Sequence, residues 1–259
     1  MHELIIISFF ALVGSLLTLY SGFGLGTILL PVFSVFFPLP IAITLTAIVH
    51  LLNNVFKLIL LGKHSSWRTV LLFGIPSIPA AILGAWVLNL IIDVPVLIEY
   101  ELWGNLRQIT FIKITIGILM IVFAMFEVIP AFSKWTVSQK WLSVGGFISG
   151  FFGGFSGHQG ALRSAFLLRL GLSKESFIAT GIVIACLIDF SRIITYANYS
   201  EPIDYKSIPL AYLIIPVISA CIGAYVGYYF LKKITIRFLH ITVAAFLIIF
   251  SGLMIAGIL

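Results

Sequence analysis

Apolar residues run along the chain in eight long stretches, approximately 4–37, 41–61, 69–92, 109–129, 141–170, 176–197, 208–231 and 237–258, separated by short polar connections. A helix needs about 20 apolar residues to cross a bilayer core of roughly 30 Å, and six of the eight are near that length. The other two are too long and are interrupted. Taken as one helix at about 1.5 Å per residue, residues 4–37 would extend roughly 50 Å, and Ser21-Gly22-Phe23-Gly24-Leu25-Gly26 lies inside them. Residues 141–170 are interrupted by Gly153-Gly154-Phe155-Ser156-Gly157-His158-Gln159-Gly160. Both stretches read as broken helices or re-entrant hairpins.

Composition narrows the class. Apolar residues make up 61% and charged residues 9% of the 259, whereas a soluble domain is about half apolar and a quarter charged. The expectation is an all-α polytopic integral membrane protein. Met1-His2-Glu3 leads directly into an apolar run without a basic region or a small-residue cleavage site, so the first segment reads as retained. Cys186 and Cys221 lie inside apolar runs and suggest core packing, with neither a disulfide nor a metal-thiolate framework. The net charge of +6 comes largely from basic residues scattered through the connections, single except for Lys232-Lys233, and forming no patch. That pattern fits cytoplasmic loops better than a nucleic-acid partner.

An internal repeat organises the runs. A shift of 135 residues takes Ser21-Gly22 onto Ser156-Gly157, and Asn54 and Lys57 onto Asp189 and Arg192. Gly84-Ala85-Trp86-Val87 recurs as Gly223-Ala224-Tyr225-Val226 at a shift of 139. The expected organisation is a first transmembrane repeat at 1–130, a cytoplasmic connection at 131–140 and a second repeat at 141–259. Lys63, Arg68, Lys134, Lys140, Arg169, Lys174, Lys232, Lys233 and Arg237 mark one side; Asp93, Glu99, Glu101, Glu201 and Asp204 mark the other. Keeping the basic set in the cytoplasm requires 141–170 to enter and leave on one side. If 4–37 does the same, each half has an odd number of crossings and the halves are inverted, the plan of many secondary transporters. If both stretches cross once, the repeats are parallel and Lys232, Lys233 and Arg237 fall outside.

The polar residues of the breaks are the candidates for chemistry. Backbone N–H groups at the start of a half-helix have no intrahelical partner and favour an anion. Gly22, Gly24 and Gly26, with Gly157 and Gly160, permit such a start and a close ligand approach, although small residues also serve helix packing in membranes. Ser156, Gln159 and Arg163 add donors, and Arg163 carries a planar fork suited to a carboxylate or sulfonate. His158 can donate, accept or titrate. The structural alternatives are an Arg163 that reaches the headgroups and a His158 bonded within the core. Asp189 and Arg192, three apart, share a helix face and can pair, either as a structural latch or as part of an ion-coupling path with His158 and Lys57. Asn54, with Asn53 and His50 beside it, would face them from the first half. Thr46 and Thr180 could donate to a ligand or bond their own helix. Trp67, Trp86, Trp103, Trp135 and Trp141 fall mainly near segment ends, as interfacial anchors would.

No Walker A, HExxH or GxSxG sequence is present, which argues against ATP hydrolysis and against membrane protease or esterase chemistry. With Gly22-Phe23-Gly24-Leu25-Gly26 and Pro31, Gly153-Gly154-Phe155-Ser156-Gly157, Gly171-Leu172-Ser173, Ala179-Thr180 and the Gly-Ala pairs at 84 and 223 in view, the chain resembles the TauE/SafE family of sulfite-exporter-like permeases over nearly its whole length. The resemblance implies a transporter of small anions such as sulfite or organosulfonates, working without ATP. His158-Gln159-Gly160-Ala161-Leu162-Arg163 departs from the glycine-rich, uncharged continuation usual there, which bears on the substrate and admits a carboxylated or doubly charged anion. The expectation is a multi-pass protein of the cell membrane, bacterial inner membrane in type, and not an enzyme. Its partners would be a small anion, the lipid bilayer and a coupling proton or ion, with no cofactor, metal or nucleic acid. A non-transporting assembly subunit and an intramembrane enzyme using His158 and Asp189 are the alternatives.

Overall fold

The computed structural model describes residues 1–21, 24–92, 94–129, 138–199, 208–230 and 236–259. Gly22, Asp93, Lys134, Trp135, most of the 131–140 connection, Glu201, Asp204, Lys232 and Lys233 lie outside the described residues. Helix α1 (His2–Ser21) is followed by α2 (Leu25–Phe36) and α3 (Leu39–Leu61). A continuous helical stretch, α4 (Trp67–Ile92), follows and contains a π-helical segment at Val70–Gly74. Strands β1 (Val96–Leu102) and β2 (Asn105–Thr110) precede α5 (Phe111–Val128). The remainder is α6 (Leu142–Ser156), α7 (Gly160–Leu167), α8 (Lys174–Tyr199), α9 (Ala211–Phe230) and α10 (Ile236–Ile255).

Among the described residues five helical stretches are long and apolar enough to cross a membrane, His2–Leu19, Leu39–His64, Trp67–Ile92, Lys174–Asn198 and Ala211–Tyr229. Shorter apolar helices occupy Leu25–Phe36, Phe111–Phe126 and Ile241–Ile255. The protein is therefore an all-α, multi-pass membrane protein.

Both interrupted stretches double back. A methyl group built on Gly14 of α1 would fall 2.9 Å from Leu25 Cδ1 of α2, and one built on Gly145 of α6 would fall 2.5 Å from Phe166 Cδ1 of α7. A continuous helix would hold those pairs roughly 16 and 30 Å apart. The second break lies later than the glycine run suggests. Gly153 and Gly154 remain helical within α6, and the helix ends at Gly157, whose φ of 80° is the left-handed C-cap conformation. Gly154 serves packing instead: a methyl there would lie 2.0 Å from the Ala81 carbonyl oxygen of α4. Gly146 and Gly150 meet Phe73 and Ser77 on the same helix in the same way, so the α4 and α6 backbones touch along a small-residue stripe.

The contacts recur between the halves. A methyl on Gly84 of α4 would fall 2.0 Å from the Phe151 carbonyl of α6, and one on Gly223 of α9 would fall 2.1 Å from the Leu12 carbonyl of α1. Helices α3 and α8 pack together between these two crossed pairs. Their buried polar faces supply the site. The β1–β2 hairpin was not foreseen from the run pattern. It turns through Trp103 (φ 53°) and Gly104 (φ 73°), the positive-φ pair of a tight hairpin. It rests on the chain's last residues, where Arg107 Nη1 donates to the Ile258 carbonyl at 3.0 Å and Tyr100 Oη donates to that of Ala256.

Candidate functional site

The two helix breaks meet at the α3–α8 interface. A methyl on Gly26, in the first turn of α2, would stand 3.8 Å from the Gly157 carbonyl oxygen that ends α6 and 3.6 Å from Thr46 Cγ2. Gly24 stands at the N-cap of α2 in extended conformation, and among the described residues no side chain caps it, so the start of α2 keeps its partial positive charge. Ser156 Oγ donates to the Phe152 carbonyl at 3.2 Å, and Gln159 caps α7.

Asp189 of α8 is fully buried and collects donors from three elements. Its Oδ2 lies 2.5 Å from His50 Nδ1 of α3. Its Oδ1 accepts from Gln159 Nε2 at 3.1 Å and Arg192 Nε at 3.0 Å, and Arg192 Nη2 stands 2.9 Å away. Gln159 passes the chain on, because its Oε1 accepts from Arg163 Nη1 at 3.2 Å. Three-residue spacing on one helix brings Asp189 to Arg192, and one-turn spacing brings Gln159 to Arg163. Packing alone brings in His50. Glycines make room for both guanidinium groups: a methyl on Gly157 would fall 2.7 Å from Arg192 Nη1, and one on Gly181 would fall 3.2 Å from Arg163 Nε.

On one side of this cluster lies a cavity of about 30 Å³. By the measure in which one water needs about 10–15 Å³, it holds two or three waters or an ion of a few atoms. It is lined by polar Thr18, His50, Asn54, Lys57, Arg163 and Ser164, by Gly24 and Leu25 at the start of α2, and by apolar residues such as Leu167 and Phe177. Among the described residues the buried charged side chains are Lys57, Arg163, Asp189 and Arg192. Asp189 neutralises Arg192. Lys57 and Arg163 are left with neutral partners, since the Asn53 amide, oriented to donate to the Ala220 carbonyl at 3.1 Å, accepts from Lys57 Nζ at 3.0 Å. Two buried cations without a carboxylate are costly in a membrane interior, and both line the cavity.

The remaining candidates are distributed as follows. Gly24, Asn54, Lys57 and Arg163 line the cavity, and Gln159 and Asp189 stand one hydrogen bond behind its wall. Thr46 is buried beside Gly26 with an unpartnered hydroxyl. Thr180 instead accepts from the Ser66 backbone N–H at 2.9 Å, which ties the connection after α3 to α8. His158 is buried, with Nδ1 3.1 Å from Ser156 Oγ and its ring stacked on Phe123 at 5.6 Å between centroids. Its Nε2 has no partner. Gly160 begins α7 and is buried. Sequence reasoning passed over Thr18, whose buried hydroxyl is also unpartnered, and Gly181. Thr18 lies four residues before Gly22 in the sequence, a spacing that could have flagged it.

A multi-pass helical bundle that encloses a small, cation-rich cavity where two doubled-back helices meet has the architecture of membrane transporters. The sequence model described as Sulfite exporter TauE/SafE matches residues 6–254, and the chain belongs to that family. It is thus a membrane transporter of the sulfite-exporter type. No curated protein matches the chain.

Proposed function

We propose that the chain is a secondary permease for a small anion, sulfite or a related sulfur-containing or carboxylate anion, which binds in the cavity beside the two helix breaks. The observation that carries this reading is the pairing of Lys57 and Arg163, two buried cations with neutral partners, at the uncapped start of α2. An anion there would receive the Arg163 fork, the Lys57 ammonium, the Asn54 amide and the first N–H groups of α2. It would replace the missing carboxylate. Gln159 aims Arg163, and Asp189 in turn fixes Gln159. Gly157 and Gly160 let the second break approach the first.

Alternating access follows from the two halves, 1–130 and 141–259, rocking about the α3–α8 interface. Reciprocal contacts, Gly84 on the Phe151 carbonyl and Gly223 on the Leu12 carbonyl, share one offset of 139 residues and support a two-fold exchange of the halves, for which the loop charges favour the inverted form. The expected location is the cell membrane, bacterial inner membrane in type. Uptake of labelled sulfite into proteoliposomes tests the site. Replacing Arg163 by Ala removes a buried charge-assisted contact of about 1.5–3 kcal/mol, so sulfite affinity should fall about 10- to 100-fold. Unchanged transport by a folded, inserted variant would place the anion elsewhere.

A further inference from the structure

His50 has two ring nitrogens in unlike surroundings. Nδ1 lies 2.5 Å from Asp189 Oδ2, and a nitrogen set on a carboxylate carries the hydrogen. Nε2 is therefore the nitrogen left to gain or lose a proton. It turns toward the cavity side: a methyl built on Gly24, itself in the cavity wall, would fall 3.0 Å from it. Asn54 Nδ2 stands equally near both nitrogens, 3.3 Å from Nε2 and 3.3 Å from Nδ1.

The groups around this ring come from five elements. Helix α3 supplies Asn54 and, one turn on, Lys57; α8 supplies Asp189 and Arg192. The second break supplies Gln159 on the other Asp189 oxygen, α7 supplies Arg163 behind Gln159, and the start of α2 supplies backbone alone. In the empty cavity a proton on Nε2 would add a third positive charge beside Lys57 and Arg163. An unprotonated Nε2 would instead turn a lone pair toward an arriving anion. Each ligand thus removes the obstacle to the other.

We infer that His50 is the proton-coupling residue: Nε2 takes up one proton from cavity water as the anion arrives, donates that N–H to the anion, and returns the proton to water when the anion leaves. Asp189 holds the imidazolium through Nδ1 and remains a carboxylate throughout. Asn54, which lines the same cavity, offers its amide N–H to the anion. The coupling is an anion–proton symport, and it rests on the permease reading given above.

The test uses labelled sulfite in proteoliposomes with and without an imposed pH gradient, wild type against His50→Gln. One coupled proton adds about tenfold to the accumulation ratio for each pH unit of gradient. Sulfite's own protonation contributes equally to both proteins and cancels in the comparison. The expected result is a gradient-driven accumulation in the wild type that exceeds the variant's by that factor, with any residual exchange in His50→Gln indifferent to the gradient. A variant that follows the gradient as the wild type does would overturn the assignment. If His50→Gln exchanges no sulfite, the wild type decides by itself. Purified in weakly buffered detergent at a pH well above the second ionisation of sulfite, it should take up close to one proton per sulfite bound; no uptake would overturn the coupling. Wild-type protein that neither binds nor exchanges sulfite would defeat the permease reading, and this coupling with it.

Discussion

Helices α3 and α8 carry the same two positions of the repeat, and they use them differently. On α8 the pair is Asp189 and Arg192, a carboxylate and a guanidinium in direct contact at 2.9 Å. On α3 the pair is Asn54 and Lys57, so the cation has an amide where its counterpart has a charge. A buried ion pair with satisfied hydrogen bonds roughly offsets its own desolvation, but a lone buried cation does not. One substitution between the halves, carboxylate for amide, therefore separates a latch that closes the bundle from a wall that needs an anion to complete it. The latch binds α3, α8 and the second break together through His50, Arg192 and Gln159, while the wall faces the cavity.

If Asp189 is the latch, removing it should have the largest effect in the molecule. Asp189→Ala leaves Arg192 without its counter-charge and His50 and Gln159 without their acceptor. Breaking a buried pair from one side costs about 3–5 kcal/mol, which denaturant or thermal unfolding in detergent would read as a large loss of stability. A variant as stable as the wild type would show that the cluster holds nothing together.

Some of this contrast is legible in the sequence, and the reason is local geometry. Asp189 and Arg192 are three apart and Gln159 and Arg163 four apart, spacings that meet on any helix. The doubling-back of 4–37 and 141–170 follows from their length and their glycines. His50 and Asp189, by contrast, are 139 residues apart, and no periodicity links them, so His50 registered only as a polar neighbour. Gly154 looked like part of the break because glycine permits a turn and a close helix contact equally well. The β1–β2 hairpin was masked by its acidic residues, although Ile98, Tyr100 and Leu102 alternate with Glu99 and Glu101 before a Trp-Gly turn.

The contrast can be erased from the α3 side by Asn54→Asp, which copies the α8 pattern and gives Lys57 a carboxylate three residues away. Stability should change little, because the new charge meets an existing one. Anion affinity should drop about 10- to 100-fold, as one cation of the cavity is neutralised at a cost of about 1.4–2.8 kcal/mol to the ligand. Labelled-sulfite binding and unfolding, measured on the same preparation, separate the two quantities. Retained affinity would mean that Lys57 does not face the anion.

The finest form of the comparison uses two threonines. Thr180 of α8 accepts from the Ser66 backbone N–H, so its hydroxyl belongs to the scaffold. Thr18 of α1 is 3% exposed, lines the cavity and has an unpartnered Oγ1. An isolated buried hydroxyl is unfavourable unless something arrives to bond it, and an anion among Lys57, Asn54 and Arg163 would accept from it. Valine keeps the shape and deletes the hydroxyl at both positions. A neutral hydrogen bond is worth about 0.5–1.5 kcal/mol, so Thr18→Val should weaken sulfite binding about three- to tenfold while leaving stability equal or slightly higher. Thr180→Val should do the reverse, lowering stability by about 1 kcal/mol with affinity intact. Equal effects of the two substitutions on affinity would show that the cavity wall and the scaffold cannot be told apart by their unpartnered groups, and the α3–α8 contrast would then rest on charge alone.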